Sequence, residues 1–135
     1  MGAVTEEAAM LSTCNVTTVV TTVCRLTVAA ALVQAGAPKV TGAPAVMDDA
    51  ERLGYTPDAY RAIGAVSLAG AAGLLIGGIG GRLRWIGQAA SLGSLALFTG
   101  AVIEHVRHGD APAESLPAAS LGVLSLISLV AGTKE

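Results

Sequence analysis

Four stretches of this chain, residues 16–36, 60–80, 85–106 and 112–131, are largely apolar and about twenty residues long, the length an α-helix needs to cross roughly 30 Å of hydrocarbon. In the first three the charges are few: Arg25 inside the first, Arg61 at the start of the second and Glu104 near the end of the third. Inside a bilayer every backbone polar group must be satisfied within the segment or a closed barrel, so each stretch is expected to be a helix. Composition agrees: 53% of residues are hydrophobic and 13% charged, against roughly 25% charged in a soluble domain. Mean hydropathy is +0.65. The expected fold is all-α, an integral membrane four-helix bundle with a short interfacial helix between the first and second spans. Its 135 residues leave room for a single transmembrane domain, residues 1–135.

Several classes of function fall away at once. Net charge is −2 with no run of Lys or Arg, so there is no electrostatic footprint for nucleic acid. Cys14 and Cys24 stand ten residues apart; on one continuous helix that is about 15 Å, too far for a disulfide. There is no Cys-x-x-Cys pair of the thioredoxin kind. The first 24 residues hold no Lys or Arg and instead carry Glu6 and Glu7, so the first apolar stretch is expected to be a retained helix, not a cleavable signal. With an even number of spans both ends of the chain belong on one side. The short basic turn with Arg82 and Arg84 shares that side, while Lys39, Arg52, Arg61 and Arg107 fall on the other. Weighting the short turn more heavily makes the protein multi-pass in the cell membrane with cytoplasmic termini.

The segment between the first two spans carries its own punctuation. Pro38 and Gly42 are expected to end the first helix, Pro44 to open a short one over residues 45–53, and Gly54 to stop it. Thr56-Pro57-Asp58 reads as an N-cap, a proline at the first helical position and an acid in the first turn. In the second span Ala65, Ala69, Gly73 and Gly77 recur every fourth residue, a ladder of small side chains that lets a neighbouring helix approach closely. Packing within the bundle is the first reading of the ladder; a homo-oligomer contact is the second.

Two groups of polar residues need an explanation in this setting. Arg25 lies ten residues into its span, near the expected middle of the bilayer, where a charge costs at least about 2.5–3.5 kcal/mol. Thr21, Thr22, Thr99, Ser67 at comparable depth, Gln88 and cavity water are the candidate partners. Either Arg25 locks helices together or it lines a functional cavity. Alternation of the helices brings a second group, Gln34, Lys39, Tyr60, Arg61, Glu104, His105, Arg107 and His108, to one membrane face. Glu104 and His108 share a helical face, with His105 turned about 100° away. An interfacial anchor paired within its own helix and acid–base chemistry on a lipophilic substrate through Glu104 or His105, with Arg25, are both consistent with that pattern. No metal site is expected, because one Glu-His-x-x-His supplies at most three ligands without the second helical motif of di-metal bundles.

Three motifs point to a family. Cys24-Arg25-Leu26 followed by Ala35-Gly36-Ala37-Pro38-Lys39-Val40, then Ile63 to Gly70 continuing to Gly73-Leu74-Leu75, then Gly100 to Asp110 with its His and Gly-acid ending, occur in order at the ends of successive spans. Across roughly residues 20–130 the chain resembles the DoxX-like family. The resemblance implies a four-helix membrane bundle. Some members resemble subunits of thiosulfate–quinone oxidoreduction systems, and others resemble membrane partners of soluble redox enzymes. At Ser67 many members have a glutamate that could face the arginine of the first helix; here that carboxylate is missing. The leading expectation is a small membrane subunit that binds a lipophilic molecule, with a quinone as the candidate, beside a soluble or membrane redox partner. Its contacts would be membrane lipid and a pocket of Gln34, Lys39, Ser67, Arg107 and His108. The alternatives are a stand-alone membrane enzyme, an isomerase, cyclase or epoxide-opening catalyst using Glu104, His105 and Arg25, and a helix-packing scaffold or chaperone.

Overall fold

A computed structural model describes residues 1–134, apart from the side chain of Cys14; the expectation that Cys14 and Cys24 stay unbridged therefore lies outside the described residues. Five α-helices follow one another: α1 Gly2–Thr41, α2 Pro44–Arg52, α3 Pro57–Gly77, α4 Arg84–Arg107 and α5 Pro112–Gly132. A single 3-10 turn, Gly81–Leu83, precedes α4. No strand occurs among the described residues. Four of these helices are long and apolar enough to cross a membrane.

The local signals around α2 and α3 act as their chemistry requires. Thr56 Oγ1 accepts the Ala59 N–H at 3.2 Å and Pro57 opens α3. Gly54 takes φ 80° just past α2, a conformation that side chains with a Cβ resist. The end of α1 differs from expectation, because Pro38 sits inside the helix and α1 runs on to Thr41. Proline removes one donor and strains the preceding turn, yet one turn beyond it the chain closes firmly. Gly42 adopts φ 72°, and the Ala43 N–H reaches back to the Pro38 carbonyl at 3.0 Å, a Schellman closure. At its other end α1 extends well before residue 16; its 40 residues span about 60 Å.

The spanning helices pack in the cyclic order α1, α3, α4, α5, and α2 lies against α1 and α3 at one end. Val28, Ala29 and Leu32 of α1, Ala71 and Leu74 of α3 and Phe98 of α4 form the core. Buried beside them are Thr21, Arg25, Ser67, Ser91, Ser94, Ser125 and Ser128, while Val19, Val23, Leu26, Leu92 and Val123 stand exposed. Small polar residues inside and large aliphatic ones outside is the arrangement a lipid-embedded bundle needs, since close backbone approach drives its association.

Glycines set the closest approaches. A Cβ on Gly64 would lie 2.8 Å from the Gly36 carbonyl oxygen, bringing α1 against α3, and one on Gly77 would overlap Gly87 Cα, bringing α3 against α4. Between α4 and α5 the Ser91 and Ser128 hydroxyls share a hydrogen bond of 2.9 Å. The expected ladder on α3 divides: Gly73 and Gly77 face α4, where a Cβ on Gly73 would meet Ala90 Cβ at 2.9 Å, whereas Ala65 and Ala69 are exposed. Steps of four residues advance about 40° around a helix of 3.6 residues per turn, so a four-residue ladder rotates out of a straight interface after two steps.

Candidate ligand-binding site

Where α2 crosses the end of the bundle it borders a cavity of 580 Å³. Its depth is apolar, made by Leu32, Ile63, Leu97, Phe98, Ala118 and Leu121, and Gly100 and Ala101 of α4 form one wall. Its mouth is polar: Lys39, Asp49, Arg52, Tyr55, Tyr60, Glu104, His105 and Glu114 line it. Lys39 Nζ lies 5.1 Å from the Tyr60 ring centroid, within range for a cation–π contact. The Tyr55 and Tyr60 rings lie 5.7 Å apart.

The mouth is organised by the loop after α4. Gly109 takes φ 69°, so the chain reverses, and the Asp110 N–H bonds to the His105 carbonyl at 3.0 Å. That closure turns the Asp110 carboxylate back onto its own helix, with Oδ2 2.8 Å from His105 Nδ1. Oδ1 accepts from Arg52 Nη1 of α2 at 3.2 Å. The hydrogen bond from His105 and then that from Arg52, against partial desolvation, hold the Asp110 carboxyl below the usual carboxylate range. Arg52 is pushed further up by the same partner. The His105 Nδ1–H donates to the carboxylate, which leaves Nε2 as the free ring nitrogen. The Asp110 contact thus fixes the orientation of the His105 ring at the cavity wall.

The expected site residues are partly gathered here. Lys39, Ser67, Glu104 and His105 all line the cavity, with the Ser67 hydroxyl turned to the Ile63 carbonyl at 2.9 Å. Glu104 pairs with His108 at 3.5 Å and Arg107 at 3.6 Å. His108 Nδ1 also donates to the Glu104 carbonyl at 2.9 Å. Arg107, His108 and Gln34 are exposed and do not line the cavity. Arg61 pairs with Asp58 at 4.0 Å. Asp49, Arg52, Tyr55, Asp110 and Glu114 were missed by sequence reasoning; the signal for Asp110 was the Gly109 that precedes it. His105, Asp110 and Glu114 offer donor atoms within 4.8 Å of one another, but Asp110 already answers Arg52.

Arg25 belongs elsewhere. It is 5% exposed, and its Nη1 donates to the Gly77 carbonyl at 3.4 Å, at the end of α3 away from α2 and ten residues along the helix from Ser67. The partner expected for it at Ser67 is corrected by the register of α1 on α3. Gly36 meets Gly64, so eleven residues back along α1 the antiparallel partner is close to Gly77. Glycines make room for the guanidinium: a Cβ on Gly87 would lie 3.1 Å from it, and one on Gly132 2.9 Å from Nη2.

A family model described as the DoxX-like family matches residues 22–128. The chain belongs to that family. No curated protein and no solved structure matches it. The DoxX-like segment takes in both ends of the bundle, α2 and the loop carrying Asp110, and leaves out the first turns of α1. In this DoxX-like protein Ser67 is a wall of the apolar cavity and not a neighbour of Arg25.

Proposed function

We propose that this DoxX-like membrane protein holds a lipophilic molecule of quinone type in the cavity beneath α2 and presents it to a redox partner. The observation that carries the reading is the cavity's graded polarity. Its 580 Å³ falls within the roughly 300–1,000 Å³ of small-molecule sites. An apolar depth suits a ring or isoprenoid tail, and the Lys39 ammonium and the Tyr55 and Tyr60 hydroxyls supply donors for carbonyl oxygens at the mouth. The cavity opens at the end of α4 and α5 where the charged residues gather, the level at which a soluble or membrane partner would meet it. The end with Arg82 and Arg84 is assigned to the cytoplasm on the positive-inside rule.

Gly100 supplies the test. Gly100 lines the cavity and a Cβ there meets nothing within 4 Å, so Gly100→Phe adds a bulky ring at the cavity wall without a clash at Cβ. A short-chain quinone at a hundredfold excess over its Kd stabilises a binding protein by about 2.7 kcal/mol. Wild-type protein in mild detergent should show that rise in thermal midpoint and Gly100→Phe should not. Equal response of the two, or none in either, refutes the proposal.

A second reading rests on the His105–Asp110 pair, which with Glu104 puts a base and an acid on one wall and would serve an acid–base enzyme acting on a lipophilic metabolite. One substitution separates the two. Glu104→Gln leaves quinone stabilisation in place if the site binds, and abolishes turnover if it catalyses.

A further inference from the structure

At the end of the bundle opposite α2, a second cavity of 420 Å³ is lined by Arg25, Arg84 and Lys134, by Thr17, Thr18 and Thr22, and by the glycines of the α3–α4 turn. No Asp or Glu lines it among the described residues. Within it Arg25 is nine-tenths buried, with a single neutral carbonyl acceptor at 3.4 Å. Nε and Nη2 have no partner, and neither has the neighbouring Gln88 Oε1. A buried guanidinium left this short of acceptors is costly unless an anion or water supplies them. Directly beside this cavity an apolar groove of 380 Å³ runs between α1 and α5, lined by Val16, Val20, Leu126, Ile127 and Val130, and sharing Thr17 and Lys134 with the polar cavity.

We propose that this end of the bundle is a binding site for an anionic phospholipid, with the phosphate received by Arg25, Arg84 and Lys134 and one acyl chain lying in the α1–α5 groove. The phosphate answers the uncompensated positive charge of Arg25 at the cavity wall and pairs directly with the exposed Arg84 and Lys134, and the threonine hydroxyls donate to its remaining oxygens. The groove answers the question of source. A free phosphate ion has no use for an apolar trough that shares two lining residues with its cavity, whereas a lipid needs both. Basic pockets between spanning helices are suited to anionic headgroups in this way. The protein's net charge of −2 gives no general attraction for such a lipid, so selectivity must come from this local cluster.

The test is native mass spectrometry of the full chain in mild detergent, with phosphatidylglycerol and phosphatidylcholine of identical acyl chains, and inorganic phosphate as a separate probe. Wild-type protein should retain phosphatidylglycerol about tenfold or more over phosphatidylcholine. Arg25→Gln should lose the preference, but its removal from the core could also unfold the bundle. The double variant Arg84→Gln, Lys134→Gln changes only exposed side chains and should cut the preference severalfold with an unaltered lipid-free thermal midpoint. Val130→Trp should lower phosphatidylglycerol occupancy by obstructing the groove. Equal retention of the two lipids by wild-type protein overturns the proposal. So does binding of inorganic phosphate that Val130→Trp leaves unchanged in the absence of any lipid preference, which would mark a free-ion site.

Discussion

At Asp110 one carboxylate accepts from His105 of α4 and Arg52 of α2, so a residue in a four-residue loop ties the cover of the cavity to its wall. Because its folded pKa lies below the ordinary carboxylate value, Asp110 binds its proton later than it would in the unfolded chain. Its contribution is complete above about pH 4, the unfolded value, and is lost as pH falls through the depressed folded value. Asp110→Asn should therefore lower the thermal midpoint at neutral pH and flatten the acid-side decline that wild-type protein shows below about pH 4. A variant that keeps the wild-type acid profile would show that the clamp does not hold α2. Arg25 has the reverse character, being deeply buried with one long hydrogen bond at the opposite end of the bundle.

Among the helices, the decisive contacts are glycine to backbone. Gly64→Leu would drive a side chain into the Gly36 carbonyl and Lys39 Cβ, which a Cβ alone would meet at 2.8 and 2.7 Å, and should cost about 1–3 kcal/mol or more as overpacking does. Its neighbour Ala65 is exposed, so Ala65→Leu should be close to neutral in thermal unfolding in detergent. Equal damage from both would mean that the outer face of α3 is itself covered, by a second copy or another helix. The helices whose boundaries could be read from sequence are those with local signals. Thr56-Pro57 opens α3, Pro112 opens α5 and Gly54 follows α2, each through a requirement met within a few residues. The course of α1 was not legible in the same way, because Pro38 is tolerated one turn from a helix end and only Gly42 stops the chain.

For the whole molecule, the class of fold follows from the apolar spans alone, while the depth of each polar group depends on register, which no single span contains. Counting along residues 16–36 places Arg25 level with Ser67; the Gly36–Gly64 contact places it beside the α3–α4 turn. The grouping of Lys39, Glu104 and His105 was legible because alternation of helices puts those ends together, but the cavity itself required α2 and Tyr55 to fold over them. The resulting molecule has two chemically distinct ends, an amphipathic cavity under α2 and a basic, threonine-lined cavity around Arg25. The claim on which the functional account rests is that the first of these is filled by a lipophilic molecule. Mass spectrometry of organic extracts from protein purified in mild detergent tests it most directly. Wild-type protein should yield a lipophilic compound in near-stoichiometric amount, and Gly100→Phe, prepared identically and equally folded, should yield little of it; identical extracts from the two proteins would contradict the account.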